Sequence, residues 1–333
     1  MDGALEGSGR SFAVQWSPKK TGIEAMVKRT TKVLVLAGII LLGGLGTGIV
    51  IHHSGQAATS TKNGNANPDL KIDAFYLAVG ASGSLGYQPM GEAGGREHAT
   101  KTSYTNDLVR IEAARGVQLE LTQIGCPGET MVSMLSAVDH CYPVTNGQLA
   151  HAVTFLKAHS TEIGLVTIDL GFNDVRKCLT RATVDQGCIR SDLSGVKGSM
   201  AKVLSTLQAA AGPRVHFVGL LTDDPFLAHY LNGANGRIDS AFTLQTIIAL
   251  NQILRANYSR AKIPVADVET AFKTKDQALQ PLPGFSNVPT NVAMVCKLTW
   301  MCKKAPWGPD DHPNGAGFLV IAGAVAAQLR APW

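Results

Sequence analysis

The sequence predicts an α/β domain in which a parallel sheet of about five strands lies between two layers of helices, preceded by one N-terminal transmembrane helix. Three observations predict it. Short apolar, β-branched runs recur at 72–79, 117–124, 165–170, 215–220 and 263–268, each brief enough for a strand and apolar enough to be covered on both faces. Stretches with helical periodicity separate them at 104–114, 144–159, 192–211 and 237–261. Far upstream lies one long uncharged run at 33–51. Strands alternating with helices give a parallel sheet covered on both faces, and ligands of such sheets sit beyond the carboxyl ends of the strands.

From the N-terminus, residues 1–32 form a basic tail in which six Lys and Arg outnumber three acids, with Lys28, Arg29 and Lys32 just before the apolar run. As a helix, 33–51 would span roughly 28 Å, about the thickness of a bilayer's hydrocarbon core. The basic flank puts the tail in the cytoplasm and everything after His52 outside it. The rival reading is a cleaved signal peptide, since Gly55 and Ala57 offer small residues for cleavage near Ala57, giving a secreted protein. Its apolar core would exceed the usual span of about 7–15 residues. Residues 52–68 are rich in Ser, Thr, Asn, Gly and Ala and read as a flexible linker. The remainder, 69–333, has the length of one domain.

The formal net charge of +5 comes partly from the tail, and no basic patch interleaved with aromatics appears, so nucleic-acid binding has no support. All six cysteines lie at or beyond Cys126, downstream of the apolar run, which fits a domain folded outside the reducing cytosol. They fall in three close pairs, Cys126 with Cys141, Cys178 with Cys188, and Cys296 with Cys302. Six thiols allow fifteen connectivities, which sequence cannot resolve. Local pairing is the simplest expectation, each bridge being worth about 2–4 kcal/mol. A zinc site competes poorly, because no CxxC and no Cys/His cluster with ligand spacing occurs. No cofactor or metal is implied.

Three strand ends and one C-terminal segment carry distinctive residues. The first strand runs into Gly80-Ala81-Ser82-Gly83-Ser84, the second into Gly125-Cys126-Pro127-Gly128-Glu129-Thr130, and the third into Gly171-Phe172-Asn173-Asp174. Near the C-terminus comes Gly308-Pro309-Asp310-Asp311-His312-Pro313-Asn314. With these four blocks in this order, the chain resembles the SGNH hydrolases, the GDSL-type esterase and lipase superfamily, over roughly residues 75–327. The six-cysteine pattern and Thr299-Trp300-Met301-Cys302 look like those of secreted actinobacterial lipases in that superfamily. The resemblance implies a three-layer, flavodoxin-like hydrolase fold. It also implies a carboxylic ester hydrolase acting on acyl esters through an acyl-serine intermediate.

By that resemblance Ser82 is the nucleophile, with His312 as its base; the alternative for Ser82 is an ordinary Gly/Ser turn, and Ser84 is the fallback. Asn314 is placed to cap a terminal helix at 316–329 and so to fix His312 at its entrance. The other histidines read as flank, surface or packing residues. Family members usually carry an orienting aspartate three residues before the histidine, where this chain has Pro309. Asp310 is therefore expected to orient His312, with Asp311 facing solvent; a backbone carbonyl near Trp307 is the alternative, leaving a dyad. The oxyanion hole is expected from the Asn173 side chain and the backbone N–H groups of Ser82 and Gly128, with a helix cap as the alternative role for Asn173-Asp174.

One departure is Ala81, where the family's first block has an aspartate. Its loss removes bracing of the nucleophile's turn rather than the reaction. It also keeps open a catalytically weak domain that binds acylated glycans or lipids, a reading that requires Ser82, Asn173 and His312 not to converge. A surface acyltransferase on glycans is a further alternative. The stretch 272–309, with Phe285, Trp300 and Trp307, is expected to wall the acyl pocket, favouring a fatty acyl group over acetyl.

Overall fold

The computed structural model describes residues 72–89, 98–136, 140–142, 147–179 and 185–330. The expected membrane segment, its basic tail and the linker lie outside these residues. Among the described residues no helix is long and apolar enough to cross a membrane.

In chain order the first half comprises β1 (Ile72–Gly80), a 3-10 turn (Ser82–Leu85), α1 (Tyr104–Ala114), β2 (Val117–Gln123), α2 (Met131–Ser136), α3 (Gln148–Ala158), β3 (Gly164–Asp169) and α4 (Phe172–Leu179). The second comprises α5 (Gln186–Ala210), β4 (Val215–Leu220), a 3-10 segment (Pro225–Asn232), α6 (Gly233–Arg260), β5 (Val265–Ala266), α7 (Val268–Ala271), β6 (Leu279–Gln280), β7 (Val288–Pro289), α8 (Thr290–Leu298) and α9 (Gly315–Ala326).

The five-stranded sheet has the order β2-β1-β3-β4-β5 and every pairing in it is parallel. The chain starts at β1, steps to the edge at β2 and returns past β1 to β3, so strand order reverses beside the carboxyl end of β1. Two connections leave opposite faces there, which opens a crevice. The alternation in β1 shows why the sheet is buried on both sides. Phe75, Leu77 and Val79 enter one core with α2 to α6, while Ala74, Tyr76 and Ala78 enter another with α1, α7, α8 and α9. In α5, Val196, Met200, Val203, Leu204 and Leu207 form the stripe of helical spacing that seats it on the first core.

The helices start where caps allow. Asp185 accepts from Cys188 N and begins α5 six residues before the expected 192, since the periodic apolar pattern sets in only after the first turns. At the far edge, the run expected as a strand over 263–268 pairs only at Val265–Ala266, because Asp267 turns the chain and caps α7 by accepting from Thr270 N. The three close cysteine pairs form disulfides as expected. The stretch 272–309 is not a pocket wall. It folds into the β6–β7 pair and α8, whose Val292 and Val295 pack with Leu227 and Leu244 in a separate cluster. Val288, Val292, Ala293 and Val295 are spent in that cluster, while Phe272 and Leu298 enter the second core; Phe285 and Trp307 are exposed and Trp307 stacks on Trp300.

Candidate active site

Ser82 opens the 3-10 turn at the carboxyl end of β1, and its Oγ lies 2.8 Å from His312 Nε2. His312 Nδ1 lies 3.0 Å from Asp310 Oδ1, which also accepts from the backbone N–H of His312 at 2.9 Å. A carboxylate only accepts, so the imidazole proton sits on Nδ1 and Nε2 is left to accept from the serine hydroxyl. Ser82, His312 and Asp310 thus lie within hydrogen-bonding reach in series, with Asp310 two residues from the ring it touches. Asp310 and His312 are both buried.

The position of His312 is fixed from both sides. Its carbonyl accepts from Trp300 N at 3.2 Å, and Pro313 bridges Thr299. Asn314 caps α9 as expected, accepting from Ala316 N and Gly317 N, while its amide donates to Lys297 O at 2.9 Å. The histidine is therefore held between the end of α8 and the start of α9. The Tyr87 ring lies over it with centroids 6.0 Å apart.

The nucleophile's turn is braced without a carboxylate at 81. Gln148 receives Gly80 N at 2.8 Å, donates to Gly80 O at 2.9 Å and reaches the buried Glu129 at 2.9 Å. Ala81 N donates to Asp169 O at 3.2 Å. Ser84, the fallback nucleophile, is fully buried and donates to Ala81 O at 2.7 Å, so it is part of this bracing and not a reacting group.

Ser82, Gly128 and Asn173 line one cleft of about 160 Å³ with His312. Gly128 has φ +77° and a Cβ there would project into open space; positive φ is what a side chain would resist. The Asn173 amide donates one proton to Glu129 O at 3.2 Å and has a second N–H to offer. The capping role belongs to Asp174 alone, whose carboxylate accepts from Met131 N at 3.0 Å at the start of α2. Asp311 does not face solvent as expected. Its side chain is 6% exposed and pairs with Arg176 of α4, so both acids of the turn are drawn inward, Asp310 to the imidazole and Asp311 to the guanidinium. Asp311 Oδ1 remains 3.8 Å from His312 Nδ1.

Two further acids line the cleft that no sequence motif marked. Asp169, the last residue of β3, lies partly open to the cleft yet ringed by protein, and burial pushes its carboxyl up to about 6 against the opposing pull of His312. Asp223 follows β4 and is buried. Burial, helped by the charges of Asp169 and Asp311, pushes it up to about 7. Its Oδ2 has no hydrogen-bond partner among the described residues. The one signal for either was its place just at or beyond a strand's carboxyl end. Among the described residues three groups of side chains lie close enough to share a metal ion. Two of them contain cysteines already in disulfides, and the third is Asp310, Asp311 and His312, engaged with Ser82 and Arg176.

No protein-family model and no curated protein matches the chain. Among the solved structures that resemble it are several described as lipases or esterases. An extracellular lipase from Streptomyces rimosus aligns at 17% identity over 76% of this chain and 99% of that one, with a TM-score of 0.47. A phospholipase A1 from Streptomyces albidoflavus NA297 aligns at 16% identity over 77% and 99%, with a TM-score of 0.45. Axe2, an acetylxylan esterase from Geobacillus stearothermophilus, aligns at 13% identity over 78% and 96%, with a TM-score of 0.46. Scores below 0.5 at such identities leave the chemistry to be judged from the site.

Proposed function

We propose that this chain is a carboxylic ester hydrolase of the SGNH type, acting through an acyl-serine intermediate. The observation that carries the reading is the unbroken chain from Ser82 Oγ through His312 to Asp310, at 2.8 and 3.0 Å, on the wall of a cleft. In the first step His312 Nε2 takes the Ser82 proton as Oγ attacks the ester carbonyl. Asp310 holds the Nδ1 proton and stabilises the imidazolium that forms. The carbonyl oxygen, now anionic, is received by the N–H groups of Ser82 and Gly128 and the free N–H of Asn173. His312 then returns the proton to the leaving alcohol, and water repeats the sequence to release the acid and restore Ser82. Because Ser82 and His312 are within hydrogen-bonding reach and Asn173 shares their cleft, a silent acyl-binding domain is the weaker reading.

The proposal extends to place. Residues 33–51 anchor the protein as a single membrane pass with the hydrolase domain outside the cytoplasm, supported by the length and basic flank of that run and by three disulfides in the domain. The test is labelling of the full-length protein with a fluorophosphonate probe, alongside release of p-nitrophenol from esters of increasing chain length. Labelling that Ser82→Ala abolishes is expected; labelling that survives in Ser82→Ala moves the nucleophile elsewhere. Carbonate-washed membranes should retain the protein with its domain open to external protease, and a mature N-terminus near Ala58 in the medium would replace the anchor by a signal peptide.

A further inference from the structure

Asp169 and Asp223 have no task in the proton path from Ser82 to Asp310. They stand on adjacent strands, Asp169 ending β3 and Asp223 three residues beyond β4, so both reach the same cleft as the nucleophile. Asp223 is 8% exposed, and its Oδ2 is buried and faces no donor among the described residues. A buried acceptor without a partner is costly and uncommon in folded proteins, and the residue that carries this one lines the cleft, so a small turn of its side chain brings the acceptor to the cleft wall. Around it the lining is mostly apolar, from Leu170, Leu220, Leu221 and Ile321. A plain alkyl group would fill that lining and leave Asp223 unpaired. A group of similar size carrying a hydroxyl would pair it.

We propose that the cleft takes a hydroxyl-bearing ester, with Asp223, supported by Asp169, receiving that hydroxyl beside Ser82, so that these residues select a hydroxylated substrate over its alkyl counterpart. This rests on the hydrolase reading above. An ammonium ligand is the poorer fit. Burial raises both carboxyls toward neutrality, so together they hold a proton for part of the time and act as donor and acceptor rather than as two full negative charges. The third acid of the cleft, Asp311, already has Arg176.

The test compares kcat/KM within two matched pairs, using full-length protein. For a hydroxyl in the acyl part, 4-nitrophenyl 3-hydroxybutyrate is set against 4-nitrophenyl 3-methylbutyrate. For one in the alcohol part, 2-hydroxyethyl acetate is set against propyl acetate. A preference of about tenfold or more for the hydroxyl member is expected in one arm, the size of one well-made hydrogen bond to a carboxylate, and the arm that shows it tells which part of the ester enters. In Asp223→Leu, and in the smaller Asp223→Ala should the first not fold, the ratio should fall toward one with the change carried mainly by KM. A wild-type ratio near one in both arms overturns the proposal, as does a preference that survives both substitutions. No turnover of any ester together with no fluorophosphonate labelling removes the hydrolase reading and this proposal with it; turnover without preference removes the proposal alone.

Discussion

Replacing Asp310 by Asn keeps the shape of the residue and removes its charge, which makes it the sharpest probe of how His312 is held. At the observed 3.0 Å, and with an effective dielectric constant of about 20, a carboxylate and an imidazolium attract by roughly 5.5 kcal/mol. That corresponds to about four powers of ten in rate, the scale of loss known when the equivalent carboxylate of a serine protease becomes an amide. The amide would also present an N–H to Nδ1 in one of its two orientations, which favours the wrong tautomer. Asp311 cannot take over at full strength, since its charge is already shared with Arg176. Asp310→Asn should therefore lower kcat by about 10³- to 10⁴-fold while the thermal transition and fluorophosphonate-site integrity persist. The assay is single-ester turnover beside circular dichroism. Retention of more than about a tenth of the activity would refute the charge argument and leave a Ser82/His312 dyad oriented by other groups.

Arg176→Ala should free the Asp311 carboxylate 3.8 Å from Nδ1, favour the imidazolium and move the acid limb of the kcat/KM profile up by on the order of one pH unit; an unmoved limb rejects that coupling. Asp224 is fully buried and burial raises it to about 8, so between about pH 4 and pH 8 the folded state binds more protons than the unfolded one and stability falls as pH rises through that window. Asp224→Asn carries no such proton, so its melting temperature should gain on the wild type between pH 5 and pH 9, by up to a few kcal/mol of stability; an equal difference at both pH values counts against it. Gly125→Ala would set a Cβ 2.1 Å from Ser84 Oγ and 2.8 Å from Ala81 O, pushing the nucleophile's turn out of place. A loss of about 100-fold in kcat with a folded protein is expected, and wild-type rates would show the turn to be compliant.

Most of the fold was legible because β1, β3 and β4 are compact, largely apolar runs, β2 alternates apolar with polar residues, and the longer helices carry a stripe. The expected first strand and first helix match β1 and α1 almost to the residue. Local signals of the same kind led to Ser82, in a short block at a strand end, and to Asp310 and His312, in a short block at the entrance of the last helix. Asp169, Asp223, Gln148 and Arg176 were invisible for a physical reason. Each is a single polar residue whose meaning comes from which strand or turn lies beside it, and strand adjacency is set by crossovers that leave no mark near the residue. Asp311 misled for the same reason, since its partner Arg176 is 135 positions away. The stretch 272–309 misled differently. Its aromatic content suggested a pocket wall, whereas α8 divides its apolar residues between the cluster under the segment leading into α6 and the second core.

Ser82 and His312 are separated by 230 positions along the chain. The first is placed by β1 and its neighbours in the sheet; the second stands at the entrance of α9, whose Phe318, Ile321 and Val325 sit in the second core. Synthesis therefore delivers the Ser82 hydroxyl long before the imidazole that stands beside it in the finished fold. Under the hydrolase reading proposed above, ester cleavage would then be a report of finished assembly, and a protease nick that released only the last helix would remove the support of His312 together with the cover of one face of the sheet.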